Sequence, residues 1–161
     1  MPDAIRESHV STGYRWEATV FLTTWQEIEI RYGRAAAKDI CGKAMYEAGV
    51  LMGRSFAKVR GKADLVTLKS VWEELYSTEA GAEWDGKRFV VKGSACFIRE
   101  TLRGYELAPD LLGDIQEVFC DGDRGFVNGF NPNLRFAWGG RVMRGDPRCV
   151  WIIEAATEAK N

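Results

Sequence analysis

The stretch "RAAAKDICGKAMYEAGVLMGRSFAKVRG", residues 34–61, contains no proline, is rich in alanine, and sets Gly49 and Gly53 one helical turn apart. Good helix formers without a break predict a long helix, the longest of the chain, with Gly61 as its stop. Glycines one turn apart leave two gaps on one face, where a neighbouring backbone can approach closely. That neighbour is either another helix of the same chain or, in a helical scaffold that works by pairing, a second copy. Ile40, Ala44, Ala48, Met52 and Phe56 recur at four-residue spacing and predict one face of this helix.

Around this element the apolar period changes once. Phe21, Trp25, Ile28 and Tyr32 predict a preceding helix that ends at Gly33, and Leu65, Leu68, Val71, Trp72, Leu75 and Tyr76 predict a following one. At Asp85-Gly86 a turn signal precedes the β-branched and aromatic "RFVV", and a short helix is expected across residues 96–104. Pro109 suits a first helical position, and Leu112, Ile115, Phe119, Phe126 and Phe130 predict one helix reaching about Asn128, broken by Asn131-Pro132. "LRFAWGGRVM" and "CVWIIEAA" read as strands joined by the turn "RGDPR", with Gly139-Gly140 marking a bulge or a close approach to a ligand. The expectation is a single α+β domain over residues 1–161. N-terminal helices pack on a small antiparallel sheet, with an inserted long helix, a C-terminal β-hairpin, and residues 1–13 as a flexible arm.

Composition narrows the function. The 161 residues can bury a core without disulfides or a structural metal. Twenty-two basic and 23 acidic residues give a net charge of −1 with no basic stripe, so no nucleic-acid partner is expected. No apolar run is long enough to span a membrane, and the first residues lack the apolar centre of a signal peptide. A cytoplasmic protein with reduced cysteines is therefore expected. His9 is the single histidine and sits in the polar N-terminal segment, which disfavours a thiol–histidine or serine–histidine catalytic unit. Chemistry must then rest on carboxylates, thiols, hydroxyls, lysines or a bound ion.

Cys120 and Asp123 are three residues apart, so on a helix both side chains leave from one face. Such a pair can bind a metal, or the carboxylate can serve as a base, although a carboxylate raises a neighbouring thiol's pKa unless a cation such as Arg124 or Arg141 compensates. Cys96 and Cys149 border expected strands, and three thiols from separate elements can form a zinc site with Asp123 or water as fourth ligand, although their spacing matches no common zinc motif. Free cysteines are equally at home as small buried apolar residues. Trp138, beside the paired glycines, is a candidate wall for a ligand pocket.

The segment "CDGDRGFVNGFNPNLRF", followed by "RGDPRC", resembles the L-2-amino-thiazoline-4-carboxylic acid hydrolase family. The matching positions are Cys120, Asp123, Gly129-Phe130-Asn131-Pro132, Gly145-Asp146 and Cys149, with Cys96 as the earlier cysteine, and "KAMYEAGVLMGRSF" resembles the long helix shared with hydrocarbon-binding, four-vinyl-reductase-type domains. The resemblance implies an α+β ligand-binding domain, often a homodimer, and a hydrolase that opens a small cyclic amidine at a non-peptide C–N bond. It implies Cys120, Asp123, Cys96 and Asn131 as catalytic residues. Arg141 or Arg144 would pair with a substrate carboxylate, and Trp138, Phe130 and Trp72 would contact the substrate. Cys96, Cys120 and Cys149 would hold zinc if a metal is used. The alternative is a non-catalytic domain that binds a small hydrophobic molecule between helices and sheet, lined by Trp72, Phe89, Phe126, Phe130 and Trp138.

Overall fold

The computed structural model describes the backbone of residues 2–76, 82–93, 98, 102 and 105–156, and side chains from residue 16 onward apart from 76 and 143. Helix α1 spans Pro2–Tyr32 and α2 spans Arg34–Arg60, separated by Gly33 at φ 85°. The expected arm therefore continues α1 as backbone geometry, and α1, at 31 residues, exceeds the 27 of α2 that was expected to be longest. Gly61, at φ 67°, ends α2 by donating its N–H to the carbonyls of Ala57 and Lys58.

Asp64 caps helix α3, Leu65–Tyr76, by accepting hydrogen bonds from the Thr67 N–H and hydroxyl at 2.8 Å each. The Lys62 ammonium and those two donors hold its carboxyl at about 2. Strands β1, Ala82–Trp84, and β2, Arg88–Gly93, form a hairpin whose turn is closed by Asp85, which accepts the N–H groups of Lys87 and Arg88. Of the short helix expected over 96–104, Ile98 and Leu102 are helical and buried, and the other residues up to Gly104 lie outside the described ones.

The single helix expected after Pro109 is two. Helix α4 runs Pro109–Phe119, with proline in the first turn, and α5 runs Asp121–Phe130. Cys120, at ψ −4°, is the joint between them, and Asn131 ends α5 in an extended conformation. Strand β3, Leu134–Gly140, a 3-10 turn at Val142–Arg144 and strand β4, Cys149–Ala155, follow. The sheet is antiparallel throughout, in the order β1-β2-β4-β3, and the register slips between Trp138 and Gly140, so the paired glycines do mark a bulge. This is the expected α+β arrangement with a C-terminal hairpin.

Two apolar clusters make the core. In one, Leu68, Trp72, Phe126 and Phe130 from the helices cover Phe89, Val91, Cys149, Trp151 and Ile153, the inward residues of β2 and β4. In the other, Phe21, Leu22 and Trp25 of α1 meet Ala37 and Cys41 of α2 and Ile115, Val118 and Cys120 of α4. Trp138 and Val142 touch both clusters and mark the seam between them.

Helix α2 faces α5 through glycine. A Cβ on Gly49 would stand 2.1 Å from the Gly122 carbonyl oxygen, and one on Gly53 would stand 2.1 Å from that of Phe126. Reciprocally, Gly125 and Gly129 would put a Cβ 2.1 and 2.2 Å from the carbonyls of Tyr46 and Val50. The small-residue face thus meets a helix of the same chain. The buried ridge of α2 contains Ala37, Cys41, Gly49 and Gly53, while Ile40, Ala44, Ala48 and Met52, one residue out of phase, face outward. Close backbone approach selects the small residues, so the apolar stripe points away from α5.

Gly49→Leu should therefore lower the stability by about 3 kcal/mol or more, since backbone rather than a flexible side chain must move. Gly113→Ala in α4, where an added Cβ meets nothing within 4 Å, should raise it by about 0.5–1 kcal/mol. Urea denaturation followed by tryptophan fluorescence checks both signs.

Candidate functional site

The polar residues of the core gather at the seam. Cys120, at the α4–α5 joint, is buried, and its carbonyl accepts the Asp123 N–H at 3.2 Å. Asp123 lies in the first turn of α5, where the helix dipole favours a carboxylate. Its Oδ2 accepts the indole N–H of Trp151, from the centre of β4, at 3.0 Å. Two residues before Trp151, on the same face of β4, Cys149 turns its sulfur inward and accepts the Val142 N–H at 3.5 Å and the Gln116 Nε2–H at 3.8 Å.

Burial pushes the Cys120 thiol well above its ordinary range, and Asp123, Cys149 and Asp121 push it further while Arg141 opposes them. Cys120 is thus a neutral thiol at physiological pH, and cationic compensation by Arg141 is outweighed. Burial likewise raises the Asp121 carboxyl, against the Arg124 guanidinium.

Arg141 leaves the end of β3 with its guanidinium over the Trp138 ring, 5.3 Å from the centroid, and its backbone N–H donates to Asp146 at 2.7 Å. Trp138 is tilted against Trp151 at 5.5 Å. An aromatic wall with one cation at its rim therefore borders the thiols and the carboxylate. Arg144 is committed to Glu117 at 2.9 Å, in a network where Lys38 bridges Asp114 and Glu117.

Of the residues singled out in the sequence, Cys120, Asp123, Cys149, Arg141 and Trp138 come together here. Asn131 does not join them. Its Nδ2 donates to the Ala63 carbonyl at 2.6 Å and its Oδ1 accepts the Asn133 N–H, so its amide ties the end of α5 to the α2–α3 loop. Trp72, Phe89, Phe126 and Phe130 pack tightly on one another as core, with Trp72 and Phe126 edge to face at 5.9 Å. Cys96 lies outside the described residues, three positions past Gly93, the residue paired with Cys149. Among the described residues no three His, Cys, Asp or Glu side chains converge as a metal ion requires, so Cys120, Cys149 and Asp123 do not by themselves make a ligand set.

Two members of the group escape sequence reasoning. Gln116 is one turn before Cys120 on α4, a polar residue between Ile115 and Val118, and that position was its only signal. Trp151 is one of six tryptophans, and nothing in its neighbourhood announces a polar partner.

Helices over a four-stranded antiparallel sheet are a fold that a solved structure shares. The solved structure of trafficking protein particle complex subunit 3 from Naegleria fowleri, covalently bound to palmitic acid, superposes with a TM-score of 0.57 at 12% identity, covering 93% of this chain and 99% of that one. At that identity the likeness is one of fold. No curated protein matches the chain. The model of the L-2-amino-thiazoline-4-carboxylic acid hydrolase family matches residues 13–152, and the chain belongs to that family.

Alkylation tests the state of Cys120. With iodoacetamide at pH 7.5 and peptide mapping, Cys120 should stay unmodified in the native protein and label in denaturant. In Asp123→Asn the pH at which native Cys120 labels should fall, because a carboxylate beside the sulfur opposes its negative charge.

Proposed function

We propose that the protein hydrolyses a small cyclic amidine of the 2-aminothiazoline-carboxylate type. The observation that carries this reading is the convergence of Asp123, Cys120 and Cys149 at a seam walled by Trp138 and Trp151. Water adds its oxygen to the amidine carbon as Asp123, oriented by the Trp151 N–H, takes its proton. Collapse of the tetrahedral adduct breaks the bond from that carbon to the ring sulfur, which leaves as a thiol once protonated. The product is an N-carbamoyl amino acid. The bond broken is therefore C–S, in place of the C–N bond first expected.

Arg141 is the cation that would pair with the substrate carboxylate, and its stacking on Trp138 keeps it extended toward the seam. Cys120, held as a neutral thiol by burial, serves as hydrogen-bond donor and wall rather than as nucleophile. A zinc route would need Cys96 beside Cys120 and Cys149, and elemental analysis of protein purified without chelator tests it.

The second reading is a binding domain for a small hydrophobic ligand, suggested by the acyl group that the Naegleria protein carries. Incubation with L-2-aminothiazoline-4-carboxylate separates the two. Hydrolysis yields a product heavier by one water, and Asp123→Asn should lower kcat on the order of 10²–10⁴-fold. Undiminished turnover in that variant would sink the proposed mechanism. No turnover, together with a retained lipid in the intact mass, would favour the binding domain.

We further propose that the chain pairs with a second copy through the outward face of α2, where Ile40, Leu51, Met52 and Val59 are 46–79% exposed. Solution mass should correspond to a dimer, and Met52→Glu should shift it to a monomer.

A further inference from the structure

Gln116 has none of its surface exposed and is the one buried polar or charged side chain among the described residues. Its Nε2–H is directed at the Cys149 sulfur, which also takes the Val142 N–H. In this orientation Nε2 is the end of the carboxamide that faces β4. The other end, Oε1, is equally buried and meets no donor among the described residues.

A buried amide oxygen without a donor pays its desolvation penalty uncompensated, whereas an apolar side chain of the same length would fill the space without it. A glutamine is thus expensive here unless something supplies a donor. The surroundings narrow what that is. Through Cys149 the carboxamide is linked to β4, whose next inward residue, Trp151, binds Asp123. On α4 it lies one turn before Cys120, whose thiol Cys149 and Arg141 both influence. The carboxamide is thus linked through Cys149 and β4 to the Asp123 carboxylate.

We propose that Gln116 Oε1 accepts a hydrogen bond from an N–H of the bound ligand. The site would then select planar small molecules bearing an amidine or amide nitrogen over isosteres that lack the N–H. The inference rests on the ring-opening reading, in which the exocyclic amino group of the amidine supplies that N–H. Gln116 would be a substrate-binding residue that holds the amidine plane while Asp123 directs water at the central carbon.

The test compares L-2-aminothiazoline-4-carboxylate with its 2-methyl isostere in calorimetric titrations of wild type and Gln116→Met. Wild type is expected to prefer the amino compound by roughly 10-fold or more, the order reached when a buried polar group would otherwise lose its partner. Gln116→Met should lose that preference while its Tm holds or rises, because the unpaired acceptor is gone. A variant that keeps the preference, or a wild type that binds both compounds alike, overturns the role of Gln116 and leaves the ring-opening reading standing. A wild type that binds neither compound overturns both. If Gln116→Met does not fold, Gln116→Leu decides, since it also lacks the acceptor: a lost preference supports the role and a retained one refutes it.

Discussion

The close contact between α2 and α5 organises the rest of the molecule. Four glycines, Gly49 and Gly53 on one helix and Gly125 and Gly129 on the other, let two backbones meet where any Cβ would collide with a carbonyl. Because α5 is held so closely, Phe126 and Phe130 reach Trp72 and the inward residues of β2 and β4, and Asp123 reaches the Trp151 indole. The ion pairs that join α2 to α4, Arg34–Asp110 and Lys38 with Asp114 and Glu117, involve partly exposed groups and contribute little beside it. Contact between backbones therefore decides the helix arrangement, and surface charge decorates it.

The seam follows from that arrangement. Trp138 and Val142 belong to both apolar clusters, so the end of β3 is anchored from two sides, and the slip of register after Trp138 directs Arg141 across its ring. The break between α4 and α5 puts Cys120 at a joint rather than within a helix. Its sulfur is then surrounded by protein while Asp123 lies in the first turn of a new helix whose dipole supports its charge. The same burial that raises the thiol's pKa strengthens every polar contact near it, which is how a site with no described histidine side chain can still orient a carboxylate.

Much of this was legible in the chain. The glycines of α2 announced a close neighbour, Pro109 opened a helix, Asn131-Pro132 closed one, and the paired glycines after Trp138 marked a bulge. Phase was not legible. Ile40, Ala44, Ala48 and Met52 carry the stronger apolar signal, yet the ridge one residue away, through Ala37, Cys41, Gly49 and Gly53, is the one inside. Hydrophobic periodicity reports area removed from water, and a glycine contact gains by proximity instead. Asn131 was singled out from the corner it forms, and its amide is committed to the Ala63 carbonyl.

The amino-acid sequence by itself determined most of the elements, their order, the α+β class and the placing of Cys120 and Asp123 one turn apart, because these depend on local propensity and on spacing along one backbone. Only the tertiary structure decided that Cys149, Trp151 and Gln116 join that pair, and that Trp72, Phe126 and Phe130 are packed core. The polar contacts link residues 28 and 33 positions apart, and Trp72 meets Phe126 from farther still, through a glycine-lined helix crossing and a strand register that no local pattern encodes.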